Sequence, residues 1–111
     1  MVGFLHRRRF REIVRAQLML FDEEYADLLR DARRALEAYR ASSRDDAPEH
    51  WGRFDDVAED LEDALLGMRD AYAESVAEPR RPHYRAEFRR QALLRFRDVL
   101  PNTAYDGMSE D

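Results

Sequence analysis

Eighteen residues from Arg80 to Arg97, RRPHYRAEFRRQALLRFR, hold seven arginines with three aromatic residues threaded between them. A guanidinium presents its donors in a planar fork that matches the oxygens of a phosphate or carboxylate. A ring beside it can stack on a base or on another ring. Recognition of a polyanion is therefore the chemistry this segment could perform. A second group, Arg7, Arg8, Arg9, Arg11 and Arg15, opens the chain. The chain has no lysine even at positions without a special task, so codon bias accounts for the choice of arginine and the choice itself carries no functional information.

Other reactive patterns lead nowhere as specific. His6, His50 and His83 are dispersed, and none sits in an H-x-x-x-H or H-x-x-E-H arrangement. Acidic pairs stand at helical spacing: Glu24 with Asp27, Glu59 with Glu62, and Asp60 with Asp63. They faintly resemble the pairs with which all-helical nucleotide pyrophosphohydrolases hold magnesium. Glu24 and Asp27 nevertheless precede Glu59 by more than thirty residues, and the accessory lysines are missing. In a chain with 24 acids such pairs arise by chance. Gly3, Gly52, Gly67 and Gly107 are too scattered for a phosphate-cradling loop, and no serine or threonine has a nucleophile's setting. Prolines in both inter-helix turns argue against a helix-turn-helix. These residues describe a protein that is not an enzyme, with no cofactor, no metal and no small-molecule substrate.

The elements that must position the arginines are helices. Ala, Leu, Arg, Glu and Asp dominate, with 4 Gly and 4 Pro among 111 residues. Val14, Leu18, Phe21, Tyr25, Leu28, Ala32, Ala35 and Tyr39 recur in alternating steps of four and three, the seam of a coiled-coil-like helix. No Gly or Pro falls between Phe4 and Arg40, so the pattern predicts one helix over about 4–41, of roughly 54 Å. The stretch ASSRDDAPEHW then breaks the period, and Pro48 suits the first turn of a second helix over about 48–77. EPRRP forces a second turn, after which a third helix runs over about 82–100 to Pro101. The expected fold is all-α. It is a long antiparallel hairpin with the shorter third helix packed at one end, in a single domain over 1–100 followed by a flexible acidic tail at 101–111. Tyr39, Leu36, Trp51 and Phe54 would lie at the far end, beyond the third helix, where a second copy or another subunit would cover them. There is no cysteine, the apolar run before the first arginines is too short for a signal-peptide core, and no stretch suits a membrane span. A cytoplasmic location without membrane attachment follows as the expectation.

Charge is sorted along this architecture. Residues 1–20 carry a net +4, residues 21–78 a net −11 and residues 79–100 a net +5, inside a chain of net charge −5. Folding the third helix back would gather both basic blocks at one end and create a local positive field. The residues singled out for a polyanion are Arg7, Arg8, Arg9, Arg11, Arg81, Arg85, Arg89 and Arg90, with Tyr84 among them. Arg85, Arg89 and Arg95 share an arc of about 160° with Tyr84, Phe88 and Phe96 instead of opposing it. The expected function is a non-catalytic module that binds nucleic-acid backbone as a small subunit of a nucleoprotein assembly. Two alternatives use the same charges. The arginines could pair with the acids of the second helix, or the chain could be a protein-protein adaptor or coiled-coil oligomer with no nucleic-acid role.

Overall fold

A computed structural model of the chain describes the backbone of residues 2–101 and the side chains of residues 9–101. Four α-helices follow in order: α1 (Val2–Glu24), α2 (Ala26–Ala41), α3 (Ala47–Ala73) and α4 (Arg81–Arg95), with a short 3-10 turn at Glu78–Arg80. The body measures 53 × 25 × 21 Å. Apart from Pro101, the expected acidic tail lies outside the described residues, and so do the side chains of Arg7 and Arg8.

The hairpin forms between α2 and α3. Leu29, Ala32, Ala35 and Leu36 are buried on α2, and Phe54, Ala58, Leu61 and Leu65 on α3. Alanines on both sides let the two backbones approach closely. The turn between them satisfies the open helix ends locally. Ser42 Oγ donates to the Tyr39 carbonyl at 2.6 Å, the Asp46 N–H donates to Ser43 Oγ at 3.3 Å, and Pro48 occupies the first turn of α3. Leu36 and Phe54 are buried within this one chain, so the far end has no bare apolar seam. Tyr39 is half-buried and rests on Trp51 (ring centroids 5.1 Å), the one member of that group left exposed.

The first helix is not continuous as expected. Tyr25 leaves helical geometry (φ −112°, ψ 29°), although its N–H still donates to the Phe21 carbonyl and its carbonyl accepts from the Leu29 N–H, each at 2.9 Å. Neither Gly nor Pro causes the break, so its origin is tertiary. Tyr25 stacks on Phe21 at 4.6 Å, and Phe21 meets Phe96, from the turn after α4, at 5.4 Å. The bend sits where that turn packs between the first two helices.

The last two elements also end earlier than the periodicity implies. α3 stops at Ala73, four residues before 77, and α4 stops at Arg95, giving way to a turn that buries Phe96, Val99 and Leu100. α4 begins at the end where α1 starts, with Tyr84 against Phe10 (5.7 Å) and Tyr72 (5.0 Å), as the hairpin reading required. It does not stay at that end. It runs along α1 in the same direction, and the turn after it reaches α2, where Arg33 Nε meets Asp98 Oδ2 at 3.0 Å. Among the described residues no helix is long and apolar enough to cross a membrane.

Phe96 therefore holds the joint between α1 and α2. Phe96→Ala should destabilise the fold by about 3–5 kcal/mol, the cost of emptying a ring's space in a packed core. Urea unfolding followed by circular dichroism measures this, and a loss under about 1 kcal/mol would remove Phe96 from that role.

Candidate functional site

Two flanks meet along the outer seam of α1 and α4. On α1, Arg11 and Arg15 stand one turn apart beside the buried line Phe10, Val14, Leu18 and Phe21. On α4, Arg90, Gln91, Leu94 and Arg95 fall beside the buried line Tyr84, Phe88 and Ala92. Packing of those two lines leaves an open groove of about 380 Å³, lined by Arg11, Arg15, Leu18, Arg90, Gln91, Leu94 and Arg95. Its floor is apolar and its walls carry four guanidiniums. Leu94 is 56% exposed at the rim.

A buried carboxylate organises one wall. Glu87 is 3% exposed, and it accepts from Arg90 Nε at 3.1 Å, Arg90 Nη2 at 2.6 Å and Gln91 Nε2 at 2.6 Å. Gln91 Nε2 also donates to the Arg11 carbonyl at 2.9 Å, which ties the α4 wall to α1. Burial by itself raises the Glu87 pKa. The hydrogen bonds from Arg90 and Gln91, with the charges of Arg90 and Arg11, outweigh it and hold the group below its ordinary value. The Arg90 guanidinium is raised in turn by its bonds to Glu87. At the other end of the groove Arg95 Nε donates to Asp22 Oδ2 at 3.0 Å. Neither Arg11 nor Arg15 is in an ion pair among the described residues.

The structure divides the arginines singled out from sequence. Arg11 and Arg90 line the groove, whereas Arg9 lies with Arg80 in a separate crevice of about 130 Å³ beside Tyr72 and Val76. Arg81 serves the fold. Its Nε donates to the carbonyls of Ala73 and Val76, each at 2.9 Å, and so caps the end of α3 where carbonyls lack helical partners. Arg85 and Arg89 take the opposite flank of α4 from the groove, half-buried, with Nε atoms that are buried and lack a hydrogen bond. Tyr84 is fully buried and its hydroxyl donates to Gln17 Oε1 at 2.9 Å, so it offers no ring to a partner. Burial pushes its phenol up to about 12, against the lowering effect of the Gln17 bond. Arg15, Gln91 and Arg95 complete the groove without having been singled out. Arg15 belonged to the basic start of the chain and Arg95 to the mixed arc of the last helix, but neither signal said which flank α4 would present to α1, and nothing pointed to Gln91.

The acids of α3 do not neutralise this surface. Among the described residues, ion pairs join Arg30 to Asp27, Arg33 to Asp98, Arg53 to Glu49, Arg69 to Asp70, Arg90 to Glu87 and Arg95 to Asp22. None links an acid between Asp55 and Asp63 with an arginine of α1 or α4. Of those acids Glu62 is half-buried, and desolvation raises its pKa with help from the neighbouring charges of Asp63 and Glu59. A second groove, of about 680 Å³ between α1 and α3, brings Glu24 and Asp63 to one cavity over Ala64, Gly67 and Ala71. Two carboxylates make a sparse ligand set, and among the described residues no group of three or more His, Asp or Glu is placed to hold a metal ion. Comparison with protein-family models, curated proteins and solved structures gave no match, so the geometry of the chain carries the functional argument.

Because the folded-state pKa of Glu87 is depressed, its stabilisation is present above the unfolded value and is lost as pH falls through the folded one. Glu87→Gln should cost roughly 1–3 kcal/mol at neutral pH. The gap from the wild type should close as the pH falls from neutral to below the ordinary glutamate value of about 4.3 and on through the depressed folded one. Denaturant titrations at both ends of that range check this, and a gap independent of pH would show that the carboxylate charge is not what holds the wall.

Proposed function

We propose that this chain is a non-catalytic helical module that binds a polyanion along the α1/α4 groove, and that the polyanion is nucleic-acid backbone within a larger assembly. One observation carries the reading: four arginines line an open seam, and Arg11 and Arg15 face it with no ion pair among the described residues, the nearest acidic influence on Arg11 being the buried Glu87. A local positive surface of this kind attracts anions even when the whole molecule is acidic, because screening confines each charge's influence to about 8–10 Å.

The contacts are to phosphate oxygens and not to base edges. Arg11 and Arg15 stand on one helix flank with Cβ atoms about 5–6 Å apart, the spacing of a four-residue step. Arg90 is held in place by Glu87, so less of its side-chain freedom remains to be lost on binding. With Tyr84 in the core, aromatic stacking on bases contributes nothing, and single strands gain no advantage over duplex from that source. Binding is therefore electrostatic, independent of sequence and steeply dependent on salt.

Fluorescence anisotropy with a labelled duplex and a labelled single strand, over about 50–300 mM salt, tests the proposal. Arg11→Ala with Arg15→Ala should weaken binding roughly tenfold at low salt and lower the slope of log K against log salt by about 1.4–1.8. Arg81→Ala should lose stability but keep its affinity, since that guanidinium is spent on the α3 carbonyls. Absence of binding by the wild type at about 50 mM salt, or an unchanged double variant, would refute the reading.

A further inference from the structure

The groove has a counterpart on the opposite side of the same body. Asp56, Glu59, Asp63 and Asp70 on α3, with Glu74 at its C-cap, are all exposed. At 100° per residue they fall within about 60° of one another, nearly opposite the buried line Phe54, Ala58, Leu61 and Leu65. They form an outward stripe of roughly 27 Å at 1.5 Å per residue. On α1, the residues turned toward α3 (Ile13, Gln17 and Glu24) and those lining the basic groove (Arg11 and Arg15) take opposite flanks of the buried line. No α3 residue lines that groove. The molecule thus carries a basic seam on one face and an acidic ridge on the other.

These surfaces cannot satisfy each other within one chain. The cross-section is 25 × 21 Å, which is more than two Debye lengths at physiological salt, where one length is about 8 Å. Between two chains the same charges come into contact. We infer that the occupant of the α1/α4 groove in the free protein is the acidic stripe of α3 from a second copy. The inference rests on reading the groove as an anion-binding surface, and it adds that the protein supplies its own competing anion. Charge complementarity selects this occupant. The ridge offers carboxylates at steps of three, four, seven and four residues, and four of its five acids, Asp56, Glu59, Asp63 and Glu74, hold no ion pair among the described residues. Groove and ridge are different patches, so the contact is heterologous. It leaves a free groove at one end and a free ridge at the other, and it propagates into open chains or rings in place of a closed two-fold dimer. Polyanion and ridge compete for the same arginines, so binding of one releases the other.

Light scattering of the full chain tests this against the 13.2 kDa monomer mass. At roughly 200 µM protein and about 50 mM salt the mean mass should at least double, and it should return to monomer near 500 mM salt, where charges are screened within about 4–5 Å. Asp56→Asn with Glu59→Gln and Asp63→Asn should remain monomeric at low salt while still binding a labelled duplex. Arg11→Glu with Arg15→Glu should also be monomeric alone, and mixing it with Asp56→Arg plus Glu59→Arg should restore association. A wild type that stays monomeric at low salt overturns the inference, as does a neutralised-ridge variant that associates like the wild type. Loss of duplex binding by a wild type that still self-associates would instead remove the nucleic-acid reading and leave this one standing.

Discussion

Tyr84 stands where three helices converge. Its ring meets Phe10 of α1 at 5.7 Å, Tyr72 of α3 at 5.0 Å and Phe88 of α4 at 6.1 Å, while its hydroxyl donates to Gln17. The aromatic packing resumes at the other end of α4, where Phe96, Phe21 and Tyr25 lie against one another. These contacts clamp α4 along α1 at two points and fix its rotation as well as its position. Everything on the outer seam depends on that rotation. A turn of α4 by one residue, about 100°, would carry Arg90 and Gln91 away from Arg11 and dissolve the groove.

The rotation also explains how a cluster of like charges is tolerated. Burying Glu87 beneath Arg90 and Gln91 places one carboxylate among guanidiniums, and Asp22 does the same for Arg95 at the far end. Arg81 is removed from the cluster altogether by the α3 carbonyls. Among the described residues, Arg11 and Arg15 are the seam arginines with no ion pair. The acids in greatest excess sit on the outer face of α3, too distant through screened solvent to matter to them. The charge blocks of the chain thus become two opposed surfaces, and both proposals for the protein draw on that separation.

Much of the fold was legible in the residues. Apolar steps of three and four set an all-α chain. Ser42, Ser43, Asp46 and Pro48 marked the first turn and EPRRP the second, because each acts through its own backbone. The break at Tyr25 was not legible, since no local breaker is present and packing against Phe96 produces it. The site was read only in part. Counting arginines pointed to the two helices that flank the groove, and Arg11 and Arg90 line it. Tyr84, Arg85 and Arg89 share one arc of the helical wheel, yet Tyr84 is core, while Arg85 and Arg89 occupy the flank away from the groove. An arc does not say which neighbour lies on which side.

The amino-acid sequence by itself determined the all-α class, the turns on either side of α3 and the sorting of charge into two basic blocks around an acidic middle. These follow from local propensity and from covalent adjacency along the chain. Tertiary structure alone decided which arginines share a surface, which cap a helix end and which acids are left without a partner. Those outcomes depend on how one helix is rotated against another. Large buried rings, distant in the chain, set that rotation, and no short-range pattern encodes it.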